Sequence, residues 1–235
     1  MPQQYQINIT IDSAGVQAIN AAGQFVTFVK SITSSPAETG NLPVAWLSFS
    51  PFMSNSVTWQ ESYYLYATTT VITSGATIQE TSQTPAPAQE GPIYTFAQGI
   101  FTPGAQGSAL TYNMLNSQGS TLTFGLAQMA TVNGNNATAP LNAVTILNNE
   151  NASFTPIETI SIFLSSFNNN GTVISQVAST ALVVELTSQE PVANVGFNDA
   201  TSQFILNSQT ASFASMTDVA LGHLDTTGRR SRQLR

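Results

Sequence analysis

The chain has no cysteine and very little charge. Its 235 residues include 5 Lys and Arg, 12 Asp and Glu, and one histidine, His223. A disulfide is therefore impossible, and a zinc site has neither thiolates nor a pair of imidazoles to use. Charged residues make up 7% of the chain, whereas about a quarter is typical of globular proteins. Amides and hydroxyls must supply most of its polarity, and burial with backbone hydrogen bonding most of its stability.

The few charges are distributed unevenly along the chain. Lys30 is the only cation before residue 229, so residues 1–228 carry a net charge of −11, one cation against twelve carboxylates. A body this acidic repels phosphate groups, so we expect the folded part to bind no nucleic acid. The remaining cations form a basic tail that ends the chain, namely Arg229, Arg230, Arg232 and Arg235.

Three interpretations of this tail stay open at the sequence level. It is a solvated or non-native end, a dibasic processing site, or an assembly element. In the third case its guanidinium groups would bind the acidic body of another copy or an anionic surface. We expect residues 229–235 to be flexible in isolation.

Motifs of the common enzyme and cofactor sites are absent from the sequence. There is no glycine-rich phosphate-binding motif, no H-E-x-x-H motif and no nucleophile-elbow motif. We therefore expect no cofactor, no metal and no enzyme activity. The catalytic alternative left open is a glycosidase, which needs only two carboxylates at a suitable distance. Its candidates are Glu61 together with one of Glu80, Glu90, Glu158 and Glu185.

The chain also lacks the long apolar runs of targeted or membrane-inserted proteins. Its first residues are polar, and no apolar run reaches about 18 residues. This pattern predicts neither a signal peptide nor a transmembrane helix. It favours cytoplasmic synthesis or non-classical release and leaves the compartment open.

Short alternating runs separated by turn residues are what the sequence does contain. Residues 5–11 alternate between large apolar and polar side chains, as a half-buried strand does. Asn-Gly chemistry at 168–171 separates two β-branched runs and is typical of a hairpin turn. Asp12 is placed to cap a short helix over 14–22, with Gly23 as its stop.

These patterns predict an all-β fold. We expect a two-sheet antiparallel β-sandwich, jelly-roll or Ig-like, with roughly ten to fourteen strands and at most one or two short helices. Residues 1–228 are expected to form a single β-rich domain, or two units divided near the proline-rich segment 81–107.

The aromatic residues are concentrated in one segment. Seven of the 21 aromatic residues lie between Trp46 and Tyr66. One interpretation is that this segment forms a hairpin whose aromatic side chains fill the core. The other is that Gln60, Tyr64 and Tyr66, which share the more polar face of the second strand, form an exposed strip that binds a ligand.

The leading functional hypothesis is a non-catalytic recognition protein, lectin-like or toxin-like. Its aromatic and amide side chains would bind a glycan or a membrane surface. The alternative is a self-assembling structural protein, a shell or inclusion-forming subunit, since a neutral polar surface is also suited to contacts between copies. A homo-oligomer is compatible with both hypotheses, and a glycosidase-type enzyme ranks third.

Overall fold

The computed structural model describes residues 3–210, so the basic tail and His223 lie outside the described residues. Within that range the chain forms one α-helix, α1 (Ser13–Ala21), one short 3₁₀ helix (Thr39–Asn41) and seventeen strands. The strands are β1 (Gln4–Thr10), β2 (Phe25–Ser35), β3 (Val44–Ala45), β4 (Leu47–Phe49), β5 (Ser54–Thr68), β6 (Ser82–Gln83), β7 (Pro92–Ala97), β8 (Ile100–Gln106), β9 (Tyr112–Asn116), β10 (Leu122–Val132), β11 (Asn135–Pro140), β12 (Val144–Ile146), β13 (Asn151–Ser165), β14 (Thr172–Val173), β15 (Leu182–Glu185), β16 (Val192–Asn198) and β17 (Gln203–Thr210).

Two large sheets pack together into a sandwich, which confirms the predicted all-β fold. Sheet 1 has the order β11-β10-β5-β1-β16-β17, with β12 beside β10 and β6 beside β5. Sheet 2 has the order β4-β2-β13-β9-β7-β8, with β15 beside β13. A small third pair, β14-β3, completes the described strands.

The sheets are mixed, so the expectation of a purely antiparallel sandwich is wrong in that detail. Strand β1 pairs with β16 in parallel, and β7 pairs with β9 in parallel. The alternation of apolar and polar residues sets which side chains face the core, but it is the same for both pairing directions. Direction depends instead on which distant strands become neighbours.

The predicted helix is present and has the predicted cap. The Asp12 side chain accepts a hydrogen bond from the Gly15 backbone N–H at 2.7 Å, which satisfies a free donor of the first turn. Ile19 is buried against the core. Gly23 follows the helix with a φ of +63°, a conformation that glycine adopts without strain.

The aromatic segment contributes several of the large side chains that fill the space between the sheets. Trp46 is 0% exposed, Trp59 3% and Tyr63 2%. The two tryptophan rings meet edge to face, with their centroids 5.4 Å apart. These burials confirm that aromatic side chains of the segment fill the core. The predicted hairpin is wrong, because β4 pairs with β2 in sheet 2 whereas β5 pairs with β1 and β10 in sheet 1. Phe52 differs, because it lies in the turn before β5 and is exposed.

A bulge interrupts the pairing of β5 with β10. Between the pairs Tyr63–Gln128 and Trp59–Ala130, β5 has three residues where β10 has one. The inserted segment of β5 is Gln60–Ser62. Bulges of this kind bend a strand and redirect its side chains.

Sheet 2 carries a matching bulge on its own longest strand. Between the pairs Pro156–Ile32 and Ile160–Lys30, β13 has three residues where β2 has one. Glu158 is the middle residue of the inserted segment. Its carboxylate lies against Lys30 and Tyr63, so the two bulges flank the same part of the interior.

Candidate functional site

A shallow groove lies on the outer face of sheet 1, beside the bulge of β5. Strands β1, β5 and β10 form it, and its volume is about 220 Å³. Even-numbered residues of β5 dominate its lining because they point away from the core. The lining residues are Gln4, Thr58, Trp59, Gln60, Ser62, Tyr64, Met129 and Thr131.

Two of the three residues predicted to bind a ligand line this groove. Gln60 is exposed and Tyr64 is partly exposed. Within residues 3–210, the side chains of Gln60, Ser62 and Tyr64 make no hydrogen bond to protein, unlike most polar side chains of the interior. Their donors and acceptors are therefore free for a bound molecule. The binding role of Gln60 and Tyr64 stays a prediction.

The expected exposure of Tyr66 is wrong. This residue points to the same side of the sheet as Tyr64 but is 0% exposed. Its hydroxyl donates to the Asn142 carbonyl oxygen at 2.5 Å. A second hydrophobic cluster covers this end of the outer face, and its other buried members are Val44, Ile78, Ala127, Ala143 and Val173. Alternation along β5 predicts the side of the sheet, but it does not predict what covers that side.

A buried polar cluster around Lys30 lies on the interior side of the same bulge. The Lys30 ammonium donates to Glu158 Oε1 at 2.6 Å, to the Tyr63 hydroxyl at 2.9 Å and to Gln128 Oε1 at 3.0 Å. The rings of Trp46, Trp59 and Tyr63 lie 5.7, 5.6 and 5.0 Å from its nitrogen. We call these six residues the Lys30 cluster: Lys30, Trp46, Trp59, Tyr63, Gln128 and Glu158.

Every polar group of the Lys30 cluster has a partner. Glu158 accepts from Lys30 and from the Tyr63 hydroxyl at 2.6 Å through one oxygen, and from Trp59 Nε1 at 2.9 Å through the other. Gln128 Nε2 donates to the backbone oxygen of Gln60 at 2.6 Å. This last bond connects the cluster to the floor of the groove. A fully satisfied buried network of this kind is rigid.

Burial perturbs the titration of the cluster. Desolvation lowers the pKa of Lys30 to about 8, although the nearby Glu158 acts in the opposite direction. Burial and then the Glu158 carboxylate raise the pKa of Tyr63 well above its ordinary value. Both shifts favour the neutral form of a side chain that has little access to water.

The Lys30 cluster was not predicted from the sequence. One signal was available for Lys30, since it lies on the same side of β2 as Val26 and Phe28, which are both buried. No comparable signal pointed to Glu158 as its partner. The two residues are 128 positions apart, and Glu158 reaches Lys30 from an adjacent strand at a bulge.

The carboxylates proposed for a glycosidase occupy different environments. Glu61 is exposed and accepts a hydrogen bond from the Tyr5 hydroxyl at 2.7 Å. Glu158 belongs to the Lys30 cluster, whereas Glu80 lies near the covered residue Tyr66. Burial raises the pKa of Glu80 to about 6. The other two candidates, Glu90 and Glu185, are exposed.

Comparisons of the chain with protein-family models, curated proteins and solved structures give no match. In the part of the chain that the structure describes, no group of three or more His, Cys, Asp or Glu side chains is placed to hold a metal ion. The helices between residues 3 and 210 are all too short or too polar to cross a bilayer.

Proposed function

We propose that the protein is a non-catalytic recognition protein whose groove on sheet 1 binds a neutral, hydroxyl-rich ligand, a glycan. The observation that carries this proposal is the chemistry of the groove lining. It combines a tyrosine, two glutamines and the hydroxyls of Thr58 and Ser62, whose side-chain polar atoms have no protein partner among residues 3–210, and it contains no Asp, Glu, Lys or Arg. The remaining lining hydroxyl, that of Thr131, donates to Asn136 Oδ1 at 2.7 Å.

Such a lining suits a sugar for two physical reasons. Neutral polar groups lose less hydration energy than charged groups when a ligand covers them. The partly exposed ring of Tyr64 offers an apolar face to the C–H side of a sugar, and its hydroxyl is available for a hydrogen bond. The amide of Gln60 can donate and accept at the same time.

The size of the groove limits the ligand. Its volume of about 220 Å³ is below the range of about 300–1,000 Å³ that encloses a drug-sized ligand. The groove therefore accommodates a monosaccharide or the end of a longer glycan. A site this small binds weakly by itself, so firm attachment would need several copies or several sites.

The test is binding of the purified protein to a glycan array, followed by titration of the best ligand. We expect Tyr64→Ala and Gln60→Ala each to weaken binding roughly tenfold, which corresponds to about 1.4 kcal/mol. Gln189→Ala, at an exposed turn remote in sequence from the groove strands, is the matched control and should bind normally. Equal affinity of all four proteins would reject the groove as the site.

A membrane surface is the other ligand class of the same hypothesis, and a different surface supports it. Phe52 and Met53 lie side by side in the turn before β5 and are 61% and 60% exposed. Large apolar side chains at a loop tip can insert into a lipid interface. Co-sedimentation with phosphatidylcholine vesicles tests this, with Phe52→Ser/Met53→Ser as the variant that should lose binding.

The alternative of self-assembly is favoured by the edge of sheet 1. Among residues 3–210, strand β17 ends the sheet, and the adjacent residues Ile205 and Leu206 on it are 45% and 42% exposed. An open edge with apolar side chains can pair with a second copy. Light scattering at low and high salt, with and without residues 229–235, separates the causes. Edge-driven assembly persists in salt, whereas assembly through the tail arginines is screened.

A further inference from the structure

Lys30 and Gln128 face each other across the interior of the sandwich. Lys30 lies on β2 of sheet 2 and Gln128 on β10 of sheet 1, and they are 2% and 0% exposed. The amine nitrogen is 3.0 Å from Oε1 of the amide. Folding thus holds an amine and a carboxamide in contact, in a place where water cannot compete as a nucleophile.

The carboxamide is fixed in one orientation. Gln128 Nε2 donates to the Gln60 backbone oxygen at 2.6 Å, which leaves Oε1 directed at Lys30. The backbone of the same residue is also held, since its carbonyl oxygen accepts from Trp46 Nε1 at 3.2 Å. Contact between Oε1 and the lysine nitrogen polarises the carbonyl, which makes its carbon more electrophilic.

A proton acceptor stands beside the amine. Glu158 Oε1 is 2.6 Å from the lysine nitrogen, and hydrogen bonds from Tyr63 and Trp59 hold the carboxylate in place. Burial lowers the pKa of Lys30 to about 8, so the neutral amine is accessible near neutral pH. An amine with a depressed pKa next to a base is an activated nucleophile.

We propose that Lys30 and Gln128 join in an intramolecular amide cross-link, with Glu158 as the group that transfers the proton. Glu158 takes a proton from the ammonium, and the free amine attacks the Gln128 carbonyl carbon. The C–N bond to Nε2 then breaks as the carboxyl returns this proton to the leaving nitrogen. The Glu158 carboxylate takes the second proton from the attacking nitrogen, so the new amide is neutral and Glu158 ends protonated. One amide is exchanged for another and one ammonia is released, so no oxidant, reductant or cofactor is needed.

The cross-link would change the core in two ways. It replaces a buried cation with a neutral amide, which removes the cost of keeping that charge out of water. It also ties the two sheets together between residues that are 98 positions apart. The chain has no cysteine, so a disulfide cannot make this connection.

The sequence allows an unusually clean test with trypsin. Lys30 is the only trypsin site before Arg229, so fully denatured protein with a free Lys30 must be cut into residues 1–30 and a large remainder. An acylated lysine is not a trypsin site. We therefore expect denatured wild-type protein to stay uncut at Lys30 and its body to be lighter than its sequence by about 17 Da, the mass of ammonia.

Two variants assign the roles of the side chains. Glu158→Gln keeps the shape of the proton-transfer group, and Gln128→Leu removes the acyl group. Both should restore cleavage at Lys30 and the full mass. Glu61→Gln is the matched control, because this neighbouring carboxylate bonds to Tyr5 rather than to Lys30. The Glu61→Gln variant should stay resistant to trypsin at Lys30, and its mass should remain about 17 Da below that of its sequence.

The wild-type measurement decides the proposal even if a variant fails to fold. Cleavage at Lys30 in denatured wild-type protein of unaltered mass would overturn it. A loss of about 18 Da that persists in Gln128→Leu would also overturn it, because water would then have been lost in an amide with Glu158 instead. Neither result bears on glycan binding by the groove, which is measured separately.

Discussion

Two polar regions share the bulge of β5 but use their polar groups in opposite ways. The Lys30 cluster, on the interior side, pairs each of its polar atoms with a neighbour. The groove, on the outer side, leaves the side chains of Gln60, Ser62 and Tyr64 without protein partners among residues 3–210. Paired groups stabilise and position, whereas unpaired groups at a surface are free to bind. Among residues 3–210 the only ion pair, Lys30 with Glu158, lies inside the core. The lining of the groove contains no charged side chain.

The outer face of sheet 1 repeats this contrast over a short distance. Tyr64 and Tyr66 point to the same side of β5, two residues apart. Tyr64 lies in the open groove, and Tyr66 is covered by the second hydrophobic cluster. The covered end also includes Glu38, which lies near Tyr66. Burial raises the pKa of the Glu38 carboxyl to about 7. The difference between the two ends comes from the segments that fold over one of them.

The largest effect should come from breaking the ion pair of the Lys30 cluster. Glu158→Leu leaves the lysine without its carboxylate, and removal of one partner of a buried pair costs about 3–5 kcal/mol of unfolding free energy. The double variant Lys30→Met/Glu158→Leu should be more stable than Glu158→Leu, because no uncompensated charge remains and neither variant can form the proposed amide between Lys30 and Gln128. Urea unfolding followed by tryptophan emission measures both. A cost near zero for the single variant would contradict the buried pair.

A smaller change in unfolding free energy should distinguish Tyr66 from Tyr64 when the hydroxyl of each is removed. Tyr66→Phe removes the donor to the Asn142 carbonyl, and an unsatisfied buried acceptor costs about 1–3 kcal/mol. Tyr64→Phe is the same chemical change on the same face and should alter the unfolding free energy by no more than about 0.5 kcal/mol. Chemical denaturation measures the unfolding free energy of each variant relative to the wild type. Equal costs would mean that both ends of the face are equally covered.

The covered end should also make stability depend on pH. The raised pKa of Glu38 means that the folded state binds more protons than the unfolded state between pH 4.5 and about 7. The unfolding free energy should therefore fall as pH rises through this window. We expect a loss of about 1–2 kcal/mol, since a full pKa unit is worth about 1.4 kcal/mol and the side chain keeps some solvent contact.

The variant Glu38→Gln isolates this contribution. It should flatten the dependence of unfolding free energy on pH between 5 and 7, measured by urea titrations at several pH values. Glu185→Gln, at an exposed position of β15, is the control and should keep the slope of the wild type. An unchanged slope in Glu38→Gln would show that other carboxylates, such as the partly buried Glu80, carry the effect.

The smallest effect is expected at the tryptophans. Trp46 and Trp59 are 0% and 3% exposed, so their emission should be blue-shifted and acrylamide should quench it weakly. A glycan bound in the groove should change this emission little, because Trp46 does not line the groove and Trp59, which does, is only 3% exposed. Emission spectra and Stern–Volmer plots, recorded with and without the glycan, measure the emission wavelength and the quenching by acrylamide. Strong quenching in the native state would contradict the position of these rings in the core.

Local patterns in the sequence determined much of the fold. The Asp12 cap and Gly23 bounded α1, because capping and a positive φ depend on residues next to each other. Alternation with period two predicted the strands and the core-facing side of β5, since neighbouring side chains in a strand must point to opposite sides. The same pattern found Gln60 and Tyr64 on the outer face. All of this is information carried within about ten residues of chain.

Only the tertiary structure decided how distant segments meet. The parallel pairing of β1 with β16, the cover over Tyr66 and the approach of Glu158 to Lys30 all join residues far apart in sequence. The alternation of side chains along a strand carries no information about pairing direction or about a further layer above the sheet. These three long-range features could therefore not be predicted from it. The two bulges set the final positions of the polar groups, because added residues in one strand redirect side chains against its neighbour.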